Sequence, residues 1–504
     1  MTRATPDDIA RSVNDVYKSF PARLRPDIRP NGALEWTILA GFVLQSVEDE
    51  HLNCVSAGVG MKCLPASRIP LHGDMLHDTH AEILAKRGLA KWILNELSSI
   101  EAGNSSAYLD YSEHNEQKTH TTRTPKHSFK AGVQVYLYIS ALPCGDASMA
   151  HTADSQDAQE AAYYSAIPAL RGFDGVAGAA GAASAASEAT ATSVTRGRMD
   201  YTKRGSIRTK PGRADAGSTN SLSCSDKLAT YTLLGVQGGL LANIMQPVYI
   251  HNIVIGGVSS VDGEGRQKYL SECHRSLYLR VEESVRESAK ESAQASPSRL
   301  DTPTDHLHLH LHLHRPVIAF TEVRFCHAKE EVEARARASS SQDANEHPHP
   351  PVLPAMHCAN YVAGDSPLQT ELVIGGLKNG NFRRRGGGPY WWKYRSRLCR
   401  LDLMRHYLSL ECVKGVKSVK KGERERESDV KSGKEDDADD NTNPTYFQLK
   451  HSEASNTYRR LKHLLRTPPS LFSEWIVTHP KHAHFDSEGR INSDGNVNGR
   501  MDIN

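Results

Sequence analysis

Apolar positions recur at helical spacing over residues 7–20, where Ile9, Val13, Val16 and Tyr17 share one face before Pro21, Pro26 and Pro30 end the pattern. Residues 35–47 read as a second helix, with Trp36, Leu39, Ala40, Val43 and Leu44 apolar. Residues 52–60 alternate weakly and close on glycines, which predicts a strand and turn. After Thr79 the helical period is strong: Ile83, Leu84, Leu89, Trp92, Ile93 and Leu97 form one stripe. Residues 101–129 are polar and read as a loop or insertion. Residues 133–142 give the clearest strand, with Val133, Val135, Leu137 and Ile139 on one face, stopped by Pro143-Cys144-Gly145. Further on, a helix follows Cys224, a strand covers 248–256, a helix spans 267–282, a strand covers 317–325, and 446–475 is mostly helical.

Other stretches lack any period. Residues 151–200 are rich in Ala, Gly and Ser and hold too few large apolar side chains to join a core, so disorder is expected, with order resuming near Ile207-Arg208-Thr209-Lys210. Residues 283–315, 328–351 and 414–443 read as further insertions, the last with alternating basic and acidic clusters. A His-Leu repeat runs from His306 to His314. Such tracts can bind metal, but one regular dipeptide repeat fits simple-sequence expansion better than a shaped site. The layout is a helical lead-in at 1–30, one α/β domain at 31–480 and a polar tail at 481–504, with no internal repeat.

Composition narrows the setting. The chain has 504 residues, 38% hydrophobic and 24% charged, enough for a sizeable core. A formal net charge of +2 argues against a uniformly basic nucleic-acid coat, so any RNA contact must come from local patches. Asp7 and Asp8 stand early and no apolar signal region follows them. No apolar run is long enough to span a membrane. The nine scattered cysteines do not read as a disulfide framework, so a reducing compartment, cytoplasm or nucleus, is expected.

Three short motifs carry the chemistry: Thr79-His80-Ala81-Glu82, Leu142-Pro143-Cys144-Gly145 and Ser223-Cys224-Ser225-Asp226-Lys227. Each falls at a predicted helix start, and together they offer one imidazole, two thiols and one carboxylate. That is the donor set of a hydrolytic zinc site with an open position and a base beside it. Each piece also has a plainer reading. Thr79-x-x-Glu82 is a capping-box signature, and a buried free cysteine is common. The combination of His-x-Glu with a later Pro-Cys matches the opening of the zinc-deaminase signature, but Ala147 stands where its second local cysteine would be.

The three motifs closely resemble those of the RNA-editing adenosine deaminases, which act on double-stranded RNA or on tRNA. Ile207-Arg208-Thr209-Lys210, Gly235-Val236-Gln237-Gly238, Ser396-Arg397-Leu398-Cys399-Arg400 and the stretch 446–462 match too. The resemblance covers roughly residues 30–480. It implies a cytidine-deaminase-like α/β core, a mixed sheet with helices on both faces extended by C-terminal helices. It implies zinc held by His80, Cys144 and Cys224, with Glu82 moving protons during hydrolytic attack at C6 of adenine, so that adenosine becomes inosine. Several members bury inositol hexakisphosphate, and the matching positions are Lys62, Lys86, Arg87, Lys227, Arg400, Tyr446, Lys450, Tyr458, Lys462 and Trp475. Asp78, Lys210 and Gln237 match a polar relay between that anion and the zinc ligands. Two positions depart: Thr230 stands where the double-strand enzymes have Arg, and Ile476-Val477-Thr478-His479-Pro480 lacks their Glu-Lys pair.

The expected substrate is tRNA. Only about thirty residues precede the domain, too few for a double-stranded-RNA-binding domain, and Arg213-Ala214-Asp215 replaces the Gly-Glu-Gly flipping segment of the double-strand enzymes. The opening Gly32-Ala33-Leu34-Glu35-Trp36 resembles the tRNA-specific branch, which converts the adenosine 3′ of the anticodon of alanine tRNA. Arg383-Arg384-Arg385-Gly386 with Tyr390, Trp391 and Trp392 could add RNA contacts by charge and stacking, although a basic loop beside core aromatics reads as well. No membrane and no obligate protein partner are expected. The alternatives are an editor of other structured or double-stranded RNA, and a non-catalytic RNA-binding protein that kept the fold.

Overall fold

A computed structural model describes residues 3–46, 51–111, 127–156, 194–210, 217, 219–295, 313–339, 350–365, 369–382, 384, 386–413 and 443–491. Eight strands form one mixed sheet: β1 (Leu39–Gln45), β2 (Leu52–Val59), β3 (Gln134–Ile139), β4 (Asn252–Ile255), β5 (Val317–Phe320), β6 (Cys358–Val362), β7 (Thr370–Ile374) and β8 (Leu377–Lys378). Their order is β5-β4-β3-β1-β2-β6-β7-β8. The β3, β4 and β5 strands run parallel to one another, and the other neighbours are antiparallel.

Helix α1 (Pro6–Lys18) covers one face through Ile9, Val13 and Tyr17, and α2 (Ala81–Glu101) covers the other through Leu84, Leu89, Trp92 and Ile93. The α/β core expected of a cytidine-deaminase-like fold is therefore present. Gly58 lets α2 lie directly on β2, because a Cβ there would stand 2.5 Å from the Leu84 Cβ. This close approach sets the position of the first turn of α2, where His80 and Glu82 stand.

Residues 35–47 are not a helix. Leu34–Trp36 is a short strand and β1 is central, buried at every position. Ala40, Phe42 and Leu44 face the α2 side, while Leu39 and Val43 face α1. With both faces apolar the alternation vanishes, and such a run resembles a buried helix. The polar region 101–129 also holds structure, since Leu109–Tyr111 pairs with His127–Phe129.

The remaining helices are α3 (Cys224–Leu234), α4 (Gly263–His274), α5 (Arg280–Ala295), α6 (Lys329–Ala338), α7 (Arg400–Ser409), α8 (Tyr446–Lys450) and α9 (Asn456–Leu465). A π-turn at Arg275–Leu279 joins α4 to α5, so the predicted 267–282 helix runs on to residue 295. Val281 and Val285 are buried, which makes the start of the expected 283–315 insertion part of the core. Likewise α6 buries Val332 and Ala336 inside the expected 328–351 insertion.

Both ends of the 151–200 stretch are packed. Met149–Ser155 is helical, and Thr195–Arg196 pairs with Arg208–Thr209. The buried Arg208 guanidinium donates to the carbonyls of Gly197, Met199, Asp200 and Lys203. Residues 157–193, 296–312, 340–349 and 414–442 lie outside the described residues. The expected polar tail begins with a packed segment, for Phe485 is fully buried, stacks on Tyr446 and meets Cys399, Leu401 and Met404. One aromatic anchor outweighs the polar sequence around it. No described helix is long and apolar enough to cross a membrane.

Candidate metal centre and polyanion cradle

The strand Asp78–His80 pairs antiparallel with Met61–Cys63 and feeds directly into α2, whose N-cap is His80. Cys144 follows the end of β3, and Cys224 is the first residue of α3. Gly145, at φ +99°, brings the two cysteine loops into contact, because a Cβ there would fall 2.1 Å from Ser223 Oγ. Ser225 N then donates to the Cys144 carbonyl at 3.0 Å, and Cys224 N donates to Cys144 Sγ at 3.3 Å. His80 Nδ1 lies 3.7 Å from each sulfur, and all three donor atoms fall within 4.8 Å of one another. Metal–ligand bonds of about 2.0–2.3 Å in a tetrahedron separate the ligands by roughly 3.5 Å, so the trio fits one zinc ion.

The thiols differ. The hydrogen bond from Cys224, helped by the His80 and Lys210 charges, holds Cys144 well below its ordinary pKa. Burial and the same bond push Cys224 up. Thiolate character at a helix start is what a metal ligand needs.

Glu82 is 4% exposed, and its Oε2 has no hydrogen-bond partner. Burial first, and then the Cys144 charge, raises its carboxyl above the ordinary range. The capping-box reading fails here. Thr79 Oγ1 donates to the Lys62 carbonyl at 2.9 Å, and the helix start makes no side-chain cap bond. A buried carboxylate with one oxygen unsatisfied is costly in a merely structural setting.

Asp78 gathers the polar groups behind the thiols. It accepts from Lys210 Nζ at 2.7 Å, Lys227 Nζ at 2.5 Å and Ser221 Oγ at 2.7 Å. Lys210 Nζ also reaches Cys224 Sγ at 3.2 Å. Burial alone would raise Asp78, but Lys210 and Lys227 outweigh it and hold the carboxylate ionised. Gln237 is not part of this chain of contacts, for its amide donates to the Leu234 carbonyl and accepts from Val248 N. It braces the turn after α3.

Beneath the centre, cations crowd together. Burial first, then Arg87, Lys450 and Lys227, lowers Lys86 to about 7. Burial, Arg400, Arg466 and Arg87 lower Lys450 to about 8. Lys462 falls to about 7 through burial, Arg466 and Lys450. These side chains are half-buried, with charges of the same sign packed around them. Tyr446 lies under Lys450 at 5.3 Å, and Tyr458 stands near Lys450 at the edge of Gly239. Trp475 carries the Arg466 guanidinium on its ring at 4.4 Å. Lys62 sits opposite Thr79, where its charge reaches the Cys358 thiol. Arg466, absent from the sequence-based set, belongs to this cluster of cations, since its charge acts on both Lys450 and Lys462. Its spacing of four from Lys462 and eight from Tyr458 was the available signal.

A second group missed in the sequence lies behind the cysteines. Asp146 and Asp226, each two residues after a cysteine, are fully buried. Arg280 reaches Asp226 at 2.8 Å and Asp146 at 3.7 Å, and Arg275 reaches Asp146 at 2.8 Å. Arg280→Met should therefore strand Asp226 and cost about 3 kcal/mol or more of stability. Urea unfolding measures this, and a loss below about 1 kcal/mol contradicts it.

A mixed sheet that presents one imidazole and two thiols beside a buried carboxylate has the donor set that metal-dependent hydrolases use. Comparison with known proteins makes this specific: the chain belongs to the adenosine-deaminase (editase) domain family, which matches residues 56–479. It is 30% identical over 249 residues to tRNA-specific adenosine deaminase 1 of Schizosaccharomyces pombe, covering 49% of this chain and 56% of that protein. It is 31% identical over 253 residues to the Saccharomyces cerevisiae protein of the same name, covering 49% and 58%. It is 26% identical over 252 residues to the double-stranded RNA-specific adenosine deaminase of Mus musculus, covering 50% and 19%. The matches to the two fungal proteins thus span a little over half the length of each relative. Arg213-Ala214-Asp215, the substitute for the flipping segment, lies outside the described residues.

Proposed function

We propose that this protein hydrolyses the 6-amino group of adenosine in tRNA to give inosine, at the adenosine 3′ of the anticodon of alanine tRNA. The observation that carries the reading is the His80, Cys144 and Cys224 trio with the unpartnered Glu82 beside it. His80, Cys144 and Cys224 would hold zinc, which when bound acidifies a water and so supplies the nucleophile. Glu82 takes the first proton of the attacking water and passes it to the ring nitrogen, then takes the second from the new C6 hydroxyl and passes it to the departing amine, which leaves as ammonia. Burial raises its pKa above the ordinary carboxylate range, the direction that suits a group that must give protons as well as take them. Lys210 and Asp78 orient the Cys224 thiolate from behind. The names of the fungal relatives support tRNA as the substrate class, and the anticodon position rests on the Gly32–Trp36 resemblance.

Within the same reading, the cationic cradle holds inositol hexakisphosphate. Lys86, Arg87, Lys227, Arg400, Lys450 and Lys462 would face its phosphates, with Tyr446, Tyr458 and Trp475 in the wall. The packing of so many cations supports a dense anion among them.

Purified protein should carry one zinc per chain, and Cys144→Ala or Cys224→Ala should lose it. Elemental analysis checks this, and full occupancy in Cys224→Ala overturns the ligand assignment. Inosine mapping on alanine tRNA, before and after incubation with the enzyme, tests the substrate. Inosine in long duplex RNA but never in alanine tRNA would transfer the activity to the other branch of the family.

A further inference from the structure

The turn after β8 does not fit a structural role. Trp392 is 76% exposed and Trp391 is 40% exposed, both within the turn that ends at Tyr394. Trp391 and Tyr394 present nearly parallel rings, 6.2 Å apart at 8°. Lys393 stands over both, 4.7 Å from one ring and 5.1 Å from the other. From Leu372 to Leu401 the sequence contains eight Lys and Arg and no Asp or Glu, against a net charge of +2 for the whole chain. Core aromatics are covered, and a solubilising loop does not display two adjacent tryptophans. Exposed flat rings with interleaved cations are what unpaired nucleotides bind, bases on the rings and phosphates on the charges.

The turn is anchored to the segment that leads into the metal centre. Tyr390 packs with Leu64, Met75 and Leu377, and its N–H donates to Asp74 Oδ2 at 2.8 Å. Arg384 lies over the Tyr390 ring at 3.9 Å and faces the same Asp74 oxygen. Leu76 N donates to the Gly376 carbonyl, and Leu64 N donates to the His77 carbonyl, one residue before Asp78. The aromatic turn is thus anchored on the same strip, 64–80, that ends in His80, and Gly217 of the loop before α3 rests on Pro65 of that strip.

We propose that Trp391, Trp392, Lys393 and Tyr394 form a stacking platform for unpaired nucleotides of the substrate RNA that flank the reacting base. The inference rests on the deaminase reading above but concerns a different surface. Exposed tryptophan rings beside Lys393 select a single strand or loop over a duplex, whose bases offer no open π-face.

The test uses the full-length, zinc-loaded protein with an alanine tRNA transcript and a nine-nucleotide single-stranded RNA as probes. Trp392→Leu should raise KM and Kd about tenfold, and Trp391→Leu with Trp392→Leu about 10²-fold, with the effect on KM rather than kcat. Binding of the nine-mer should quench tryptophan fluorescence in the wild type and lose most of that quench in the double variant. Lys393→Ala should lower the slope of log Kd against log salt by about one. Unchanged RNA affinity and quench in a double variant of wild-type melting temperature overturns the proposal and leaves a protein as the occupant of the aromatic face. If the wild type binds RNA through this turn yet forms no inosine, the platform stands and the deaminase reading fails.

Discussion

Glu82→Ala should abolish deamination while leaving zinc content and fold intact. Glu82 donates no atom to the His80, Cys144 and Cys224 trio, so its removal leaves the ligand set whole. It is the buried carboxylate of the first turn of α2, and one of its oxygens has no partner. General acid–base catalysis by one positioned group contributes about 10²–10⁴-fold, and single-turnover rates on alanine tRNA should fall by at least ~10². A helix cap would behave otherwise: its loss costs about 1 kcal/mol of stability with little specific loss of rate. Here Thr79 is committed to the Lys62 carbonyl, and deleting an unsatisfied buried carboxylate should leave the melting temperature equal or slightly higher. A variant that deaminates at near wild-type rate, or one that melts early with normal specific activity, contradicts the catalytic assignment.

Protein made in cells lacking inositol hexakisphosphate should melt about 5 °C lower than protein that carries it, since a ligand present at about 10³ times its Kd stabilises by roughly 4 kcal/mol. Mass spectrometry of the denatured wild-type protein should find the ligand. The pH dependence gives a second check with a definite sign. Lys86 at about 7, Lys450 at about 8 and Lys462 at about 7 lie below the ordinary lysine value of 10.5. Between those values and 10.5 the unfolded chain binds more protons than the folded one, so stability rises with pH. Anion-free protein should therefore be less stable at pH 6 than at pH 9. Bound anion favours the charged lysines and should flatten or reverse that trend. Equal melting temperatures with and without inositol hexakisphosphate at both pH values contradict the cradle assignment.

The motifs of the candidate site were legible because they are local: His80 caps α2, Cys224 opens α3, and Cys144 lies in the loop after β3. The β3 strand was legible although both its faces are buried, because Val135, Leu137 and Ile139 alternate with Gln134, Tyr136 and Tyr138, which carry polar atoms. The β1 strand was misread because both of its faces are covered, by α1 and by α2, and burial on two sides erases the polar half of the alternation. The inserted segments were drawn too wide, since average composition hides single anchors such as Val332, Phe485 and the carbonyl-capping Arg208. Sequence alone thus determined the donor types and the placement of His80 and Cys224 at helix starts. Only the tertiary structure decided that three donors separated by up to 144 positions meet within 4.8 Å. It also decided that Arg466 stands beside Lys450 and Lys462, that the Gln237 amide bonds to Leu234 and Val248, and that Arg280 ties the two cysteine loops together. Such contacts depend on how the sheet orders β3, β1 and β2 and on where α3 and α5 cross. That geometry arises from packing the whole core and leaves no periodic trace near the residues it brings together.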